Sequence, residues 1–413
     1  MNFIFISPAF PENYYHFCEA LLKNGENVLG IGDTPYNELK DEVKNSLTEY
    51  YKVNSLESYD EVYRAVAFFS FKYGKIDRLE SNNEYWLRQD AKLRTDFNID
   101  GAKISDVEAF TSKSHMKDFY IKAKVPVARY KFLTNLEDDI KYIEDVLEYP
   151  VVVKPDVGVG ASATYKITSR KDLENFYKRG FNVPYIMEEY IEGDITSFDG
   201  IVDENSNVVF SDNEVFPPSI MDIVNENLEL AYYVNKEVPK NIYNIGQKVL
   251  KAFKIKSRYF HLEFFKLTKE KKGLGKIGDI VALEVNMRPP GGYTPDMINF
   301  AQSVNTYQIY ADIISYNEIR NVKLDYPKYY CMYASRRDQY NYLYKSDEIL
   351  NKYKDKITMH KRMSDALASA MGNEFFIAKF ESFDEMQEFK EMVLTKNKFW
   401  YFYQNLFFIY WKG

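Results

Sequence analysis

The sequence has little cysteine. Cys18 and Cys331 are the two thiols in 413 residues, and no C-x-x-C spacing occurs. That excludes a disulfide framework and a thiolate metal knuckle, and makes a reducing cytoplasm the expected setting. No G-x-G-x-x-G is present, so a dinucleotide is not indicated. Long basic runs are missing. The formal charge is −7, from 54 basic and 61 acidic residues, which implies no nucleic-acid partner. The start, M-N-F-I-F-I-S-P, lacks the basic head and apolar length of a secretion signal and reads as a strand. The aromatic stretch F-W-Y-F-Y-Q-N-L-F-F-I-Y-W is interrupted by Gln404 and Asn405. It falls below the roughly 18 apolar residues of a membrane span, so no membrane partner is expected and it reads as packed core or interface.

What remains is a globular composition, 46% hydrophobic and 28% charged. A chain of 413 residues is too long for one ordinary core, so two or three domains are expected. The first hundred residues alternate strand Phe3–Ile6, helix Tyr14–Lys23 and strand Asn27–Gly32, with a further helix over 58–73 and a strand over 76–80. Short connections of this kind predict a parallel α/β sheet. Ligands sit outside the carboxyl ends of such strands, which points to the neighbourhoods of 7–10 and 81–84 for a second substrate.

The most informative stretch runs from Arg258 to Gly292. Two apolar alternating segments, R-Y-F-H-L-E-F-F-K-L-T and D-I-V-A-L-E-V-N-M-R, flank a Gly- and Lys-rich turn. Folded as a hairpin with Thr268 opposite Asp279, they bring Glu263 opposite Glu284 on one face, roughly 5 Å apart at Cβ. Period two adds Asn286 and Arg288 to that face and turns Leu283, Val285 and Met287 the other way. Two carboxylates in contact repel unless a cation lies between them. An all-oxygen set of Glu263, Glu284 and Asn286 suits Mg²⁺, with Mn²⁺ as the substitute. Pro289 and Pro290 end the strand, and Gly291 and Gly292 let the backbone turn close to a ligand.

Upstream, Thr111 is expected to cap a helix carrying Lys113, Met116 and Lys117. A helix over 136–147 precedes V-V-V-K-P-D, which places Lys154 inside an apolar strand, where an ammonium needs an anion or a path to solvent. A small-residue loop follows, with Gly158, Gly160 and Ser162 able to offer backbone N–H groups to phosphate oxygens. The segment P-Y-I-M-E-E-Y-I-E-G-D reads as a strand leading into a turn that can present Glu188, Glu189, Tyr190 and Ile191 to a flat base. Strands over 196–202 and 208–216 and a helix over 241–253 lead into the hairpin. Beyond about residue 321 the pattern restarts as a small α+β unit, in which Arg336 and Arg337 read as a surface pair.

This ordered set resembles the ATP-grasp superfamily, especially its carboxylate–amine ligases related to dipeptide ligases and biotin-carboxylase-like enzymes. The motifs are S-K-S-H-M-K, V-V-V-K-P, the glycine loop, E-E-Y-I-E-G, L-E-F and E-V-N-M-R. The resemblance implies an ATP-grasp fold, α/β with α+β parts: a parallel-sheet domain over 1–108, the ATP-grasp domain over 109–320 with a lid over about 115–192, and a C-terminal α+β subdomain over 321–413. It implies that Lys113 and Lys154 hold phosphates and that the 158–162 loop closes over the γ-phosphate. Glu188 would accept from the adenine amine, with Tyr190 and Ile191 lining the base. Glu263, Glu284 and Asn286 would carry Mg²⁺, and Arg288 would steady a phosphorylated intermediate. The ribose-binding acid expected seven residues after Glu188 is Ile195 here, with Asp194 as the neighbouring substitute. The implied reaction converts a small carboxylic acid to an acyl phosphate with ATP and joins it to an amine, with amino acids among the candidates. A homodimer is compatible with this. Carboxylation of biotin and ATP binding without turnover are the alternatives.

Overall fold

The computed structural model describes residues 1–158, 163–216 and 229–397. Two compact units share the chain. One combines Met1–Asp212, Val238–Pro295 and Asn305–Lys323; the other combines Asn213–Glu237, Asp296–Val304 and the chain from Leu324 onward.

The first unit begins with the expected parallel sheet. Its strands lie in the order Glu49–Lys52, Asn27–Gly32, Asn2–Ile6, Arg78–Glu80. The helix Tyr59–Tyr73 buries Val62, Ala65, Val66 and Phe69, the i, i+3, i+4, i+7 stripe that a helix lays on a sheet. These side chains join Ile4, Ile6, Leu29 and Ile31 in one core. Burying each large apolar side chain contributes roughly 2 kcal/mol before entropy is counted.

Two antiparallel sheets follow in the same unit. One orders Tyr130–Phe132, Tyr185–Glu189, Val151–Pro155 and Tyr165–Ile167. The other orders Ile280–Asn286, Arg258–Leu267, Gly193–Val202 and Val208–Asp212. The helix Lys240–Phe253 packs on this second sheet. Gly246 permits the contact, because a Cβ there would meet the Phe198 ring at 2.1 Å.

Among the described residues the second unit holds five antiparallel strands, Glu214–Phe216, Ala231–Val234, Tyr330–Arg336, Glu374–Phe380 and Ile357–Arg362 in that order. Helix Phe383–Leu394 contributes Met386, Phe389 and Val393 to its core.

Four expectations change. The strand expected over 208–216 is two, ending at Asp212 and restarting at Glu214. The helix Lys113–Lys122 is capped by Ser112, whose hydroxyl accepts from the His115 N–H, and Thr111 instead closes the preceding helix. Helical hydrogen bonding over 136–147 widens to a π-turn at Ile143–Leu147. Arg336 and Arg337 are buried rather than on the surface. Arg336 donates to the Val393 and Met392 carbonyls and Arg337 to those of Ala368 and Ser369. The last carbonyls of a helix have no internal partner, and a guanidinium satisfies them while meeting the negative end of the helix dipole.

Candidate functional site

The hairpin forms, and Glu263 faces Glu284. The route to that pairing differs from the expected one. At the turn end the Leu267 N–H donates to the Asp279 carbonyl, one residue out of the expected register. A bulge then intervenes: Phe264 pairs with Ala282 and Glu263 with Glu284, leaving Leu283 as the extra residue. The bulge restores the carboxylate pair.

Three strands build one polar face. Asp199, His261 and Asn286 form one row across them, and Ser197, Glu263 and Glu284 the next. His261 Nδ1 lies 2.5 Å from Asp199 Oδ1, and Nε2 lies 3.0 Å from Glu263 Oε1. Burial disfavours a charged imidazole, but the two flanking carboxylates outweigh it and hold His261 well above its ordinary range. The same contact separates the two acids. Burial pushes Glu263 up, yet His261 draws it below the usual carboxylate range. Glu284 lacks that partner, and burial with the Glu263 and Glu84 charges raises it to about 7, against the pull of Lys113.

A lysine cluster lies beside this face. Asp156 organises it: its side chain accepts from Ser112 Oγ and the Ser114 N–H, both at 2.8 Å, and its carbonyl accepts from the Lys113 N–H. The helix start is thereby tied to the strand carrying Lys154. Lys113 Nζ reaches the Gly158 carbonyl at 3.1 Å and stands 3.6 Å from Glu284 Oε1, joining loop, helix and the strand of Glu284. Val152 pairs with Glu188, so Lys154, two residues on, shares the Glu188 face. Lys154 and Lys117 stand 3.0 and 3.1 Å from Glu188 Oε1, all three residues being buried. Burial pushes the Glu188 carboxyl up, but the two ammonium groups prevail and hold it at about 2. Burial lowers Lys117.

The remaining hinge residues diverge. Glu189 points to the other side of its strand and receives the Arg129 N–H at 2.8 Å and the guanidinium at 2.7 Å, so its carboxylate does not join the lysine cluster. The Tyr190 carbonyl accepts from Lys271, and Lys166 lies 4.0 Å over its ring. Ile191 is buried with Ala128, Leu267 and Val281. Asp194 is exposed opposite Lys266. Gly160, Ser162 and the aromatic stretch from Phe399 lie outside the described residues.

Arg288 follows the strand of Glu284 and Asn286, and Glu84 accepts from its Nη2 at 2.7 Å. The P-P-G-G turn is tied to the loop after the first strand. Asn13 donates to the Gly292 carbonyl at 3.2 Å, and the Tyr293 hydroxyl donates to Glu12 at 2.7 Å. The Tyr14 hydroxyl donates to the Asn82 carbonyl and is pushed up to about 12, chiefly by burial. Lys117, Asp156, Asp199 and His261 were not among the expected site residues, while Glu84 lies in the 81–84 stretch expected near a second substrate. Two had a signal: Lys117 follows Lys113 by one helical repeat, and H-L-E puts His261 on the Glu263 face.

An all-oxygen set of two acids and an amide fits a hard divalent cation. The unequal pair supports this: one acid is kept ionised by His261, while the other, raised to about 7, is short of positive charge. Among the described residues no helix is long and apolar enough to cross a membrane.

Residues 112–252 match the model of the ATP-grasp domain. The L-arginine-specific L-amino acid ligase of Bacillus subtilis is 24% identical over 255 residues, 60% of this chain and 60% of that protein. The chain thus spans about three-fifths of that curated relative. The L-amino acid ligase structure from Bacillus licheniformis superposes with a TM-score of 0.72 at 15% identity, covering 95% of this chain and 96% of that one. The biotin carboxylase domain of the Hydrogenobacter thermophilus 2-oxoglutarate carboxylase, solved with MgADP, gives 0.68 at 14% identity, covering 94% and 88%. Residues 112–252 thus carry an ATP-grasp domain, and the fold of the chain is similar to that of the L-amino acid ligase structure.

Proposed function

We propose that this chain is an ATP-dependent, ADP-forming ligase that activates a small carboxylic acid and joins it to an amine, with amino acids as the substrate class. The observation that carries this reading is the bridge made by Lys113. It stands at the Gly158 carbonyl on one side and 3.6 Å from Glu284 on the other, so the groups proposed to bind phosphate and metal meet at one point. Relatives and structural neighbours named as amino acid ligases support the same chemistry.

In this reading Lys113, Lys117 and Lys154 receive the polyphosphate of ATP. Glu188 keeps Lys117 and Lys154 ordered until phosphate oxygens share their charge, and the backbone from Glu189 to Ile191 faces the base. Gly158 begins the loop over the terminal phosphate, together with Gly160 and Ser162, and Asp194 takes the ribose. Glu263, Glu284 and Asn286 hold Mg²⁺, or Mn²⁺ in its place. When bound, that ion neutralises charge on the transferring phosphoryl group. Arg288 meets the substrate carboxylate with its planar fork, which a lysine cannot copy. A carboxylate is a poor electrophile; once phosphorylated it carries a good leaving group. The amine attacks the acyl carbon, the C–N bond forms, the C–O bond to phosphate breaks, and the nitrogen releases a proton. Residues 1–108 supply the acid side of the site, 109–320 the nucleotide and metal side, and 321–413 an α+β portion.

The test replaces the amine with hydroxylamine and presents a panel of amino and small organic acids with ATP and Mg²⁺. Acyl hydroxamate matched to ADP release supports the ligase. A stable phosphorylated product without hydroxamate from any acid that triggers ADP release would turn the reading to a kinase.

A further inference from the structure

We infer that His261 is a positioning residue for the metal-binding carboxylate of Glu263, and that Asp199 fixes the ring that does so; this rests on the metal role proposed above for Glu263. Ser197, Asp199 and His261 are buried in the sheet interior. Strand register stacks Asp199 beside His261 and Ser197 beside Glu263, so the four side chains share a face. The Ser197 hydroxyl donates to Asp199 Oδ2, Asp199 Oδ1 lies 2.5 Å from His261 Nδ1, and His261 Nε2 lies 3.0 Å from Glu263 Oε1. A carboxylate oxygen only accepts. Each ring nitrogen of His261 is engaged by one of these carboxylates, and the ring can neither flip nor tilt without losing one contact.

Glu263 Oε1 is thereby engaged by His261 Nε2, and Oε2 would be the oxygen left clear of that contact to hold an ion. Glu284, directly opposite, has no such brace. One acid of the pair is fixed in rotamer and the other is left to adjust to the ion. Groups that orient a metal ligand typically change metal affinity by about ten- to a hundred-fold when removed.

Two conservative variants separate positioning from packing. The Asn amide of His261→Asn reproduces Nδ1, so it keeps Asp199 and loses Glu263. The Gln amide of His261→Gln reproduces Nε2, so it keeps Glu263. Mn²⁺ binding to the ADP-loaded protein is followed by electron paramagnetic resonance, and ADP binding without metal by calorimetry. H261N is expected to weaken Mn²⁺ binding about ten- to a hundred-fold, with H261Q within a few-fold of the parent and metal-free ADP affinity unchanged in both. Equal Mn²⁺ binding by the two variants overturns the inference. Glu263→Gln is the control that keeps the readings apart. If E263Q also leaves Mn²⁺ binding intact, the metal assignment itself is wrong. If E263Q loses the ion while H261N keeps it, the positioning role alone is wrong.

Discussion

Arg288 is held by Glu84 at 2.7 Å, a contact between residues 204 positions apart. The guanidinium proposed to meet the substrate acid is thus already engaged by a carboxylate. A substrate carboxylate must displace Glu84 or share the fork with it. Arg288→Lys is expected to keep ATP binding and lose hydroxamate formation by at least about a hundredfold, since one oxyanion donor is worth roughly 3 kcal/mol. Glu84→Gln weakens the competitor and should change KM for the acid while leaving KM for ATP in place. Steady-state kinetics with each substrate varied in turn checks this; equal shifts in both KM values would refute it.

Glu284→Gln removes the charge from the acid that has no brace. It should fold as the parent does and lose most ATP turnover, by about a hundredfold or more. Thermal unfolding and ADP release measured side by side decide it, and full turnover in a folded variant removes Glu284 from the metal site.

The hairpin was legible because alternation with period two writes its faces directly into the sequence. Its register at the turn was not, because a bulge has no marker in residue type: Leu283 looks like any other strand residue. The parallel sheet was legible from its short β-α-β connections. Lys154 was legible as a charge in an apolar strand, but its partner was not. Glu188 faces it through strand pairing, and Lys117 arrives from a separate helix. Glu84 shows the general limit, since no local pattern announces a partner that far along the chain. Arg336 and Arg337 were misplaced on the surface because helix-end carbonyls, unlike acids, leave no sign in composition.

Lys154→Met and Glu188→Gln should part company. Lys154→Met leaves Glu188 paired with Lys117, so the fold should lose little while ATP affinity falls by tenfold or more, about 1.4 kcal/mol. Glu188→Gln leaves two ammonium groups buried without their counter-ion, which costs roughly 3–5 kcal/mol of stability. Calorimetric ATP titration and urea unfolding on both variants test the contrast. Unchanged ATP affinity in K154M would make Lys154 a structural residue only.

The last prediction concerns Asp90, away from the site. Its carboxylate is fully buried; Oδ2 accepts from the Ser81 N–H at 2.9 Å and hydroxyl at 2.6 Å, while Oδ1 has no hydrogen-bond partner. Burial raises it from 3.8 to about 7, with Glu80 adding to the rise and Arg94 opposing it. Between those two values the folded protein keeps a proton that the unfolded chain has released. Stability contributed by Asp90 is therefore full below about pH 4 and lost as pH rises toward 7. Asp90→Asn removes that dependence, because the amide oxygen still accepts from Ser81 and carries no charge to bury. The variant should gain on the parent as pH rises from 4 to 7, by a few kcal/mol across the window, and run parallel to it at higher pH. Urea unfolding at half-unit pH steps provides the curve. A constant difference between the two proteins from pH 4 to pH 8 would show that Asp90 ionises normally in the fold.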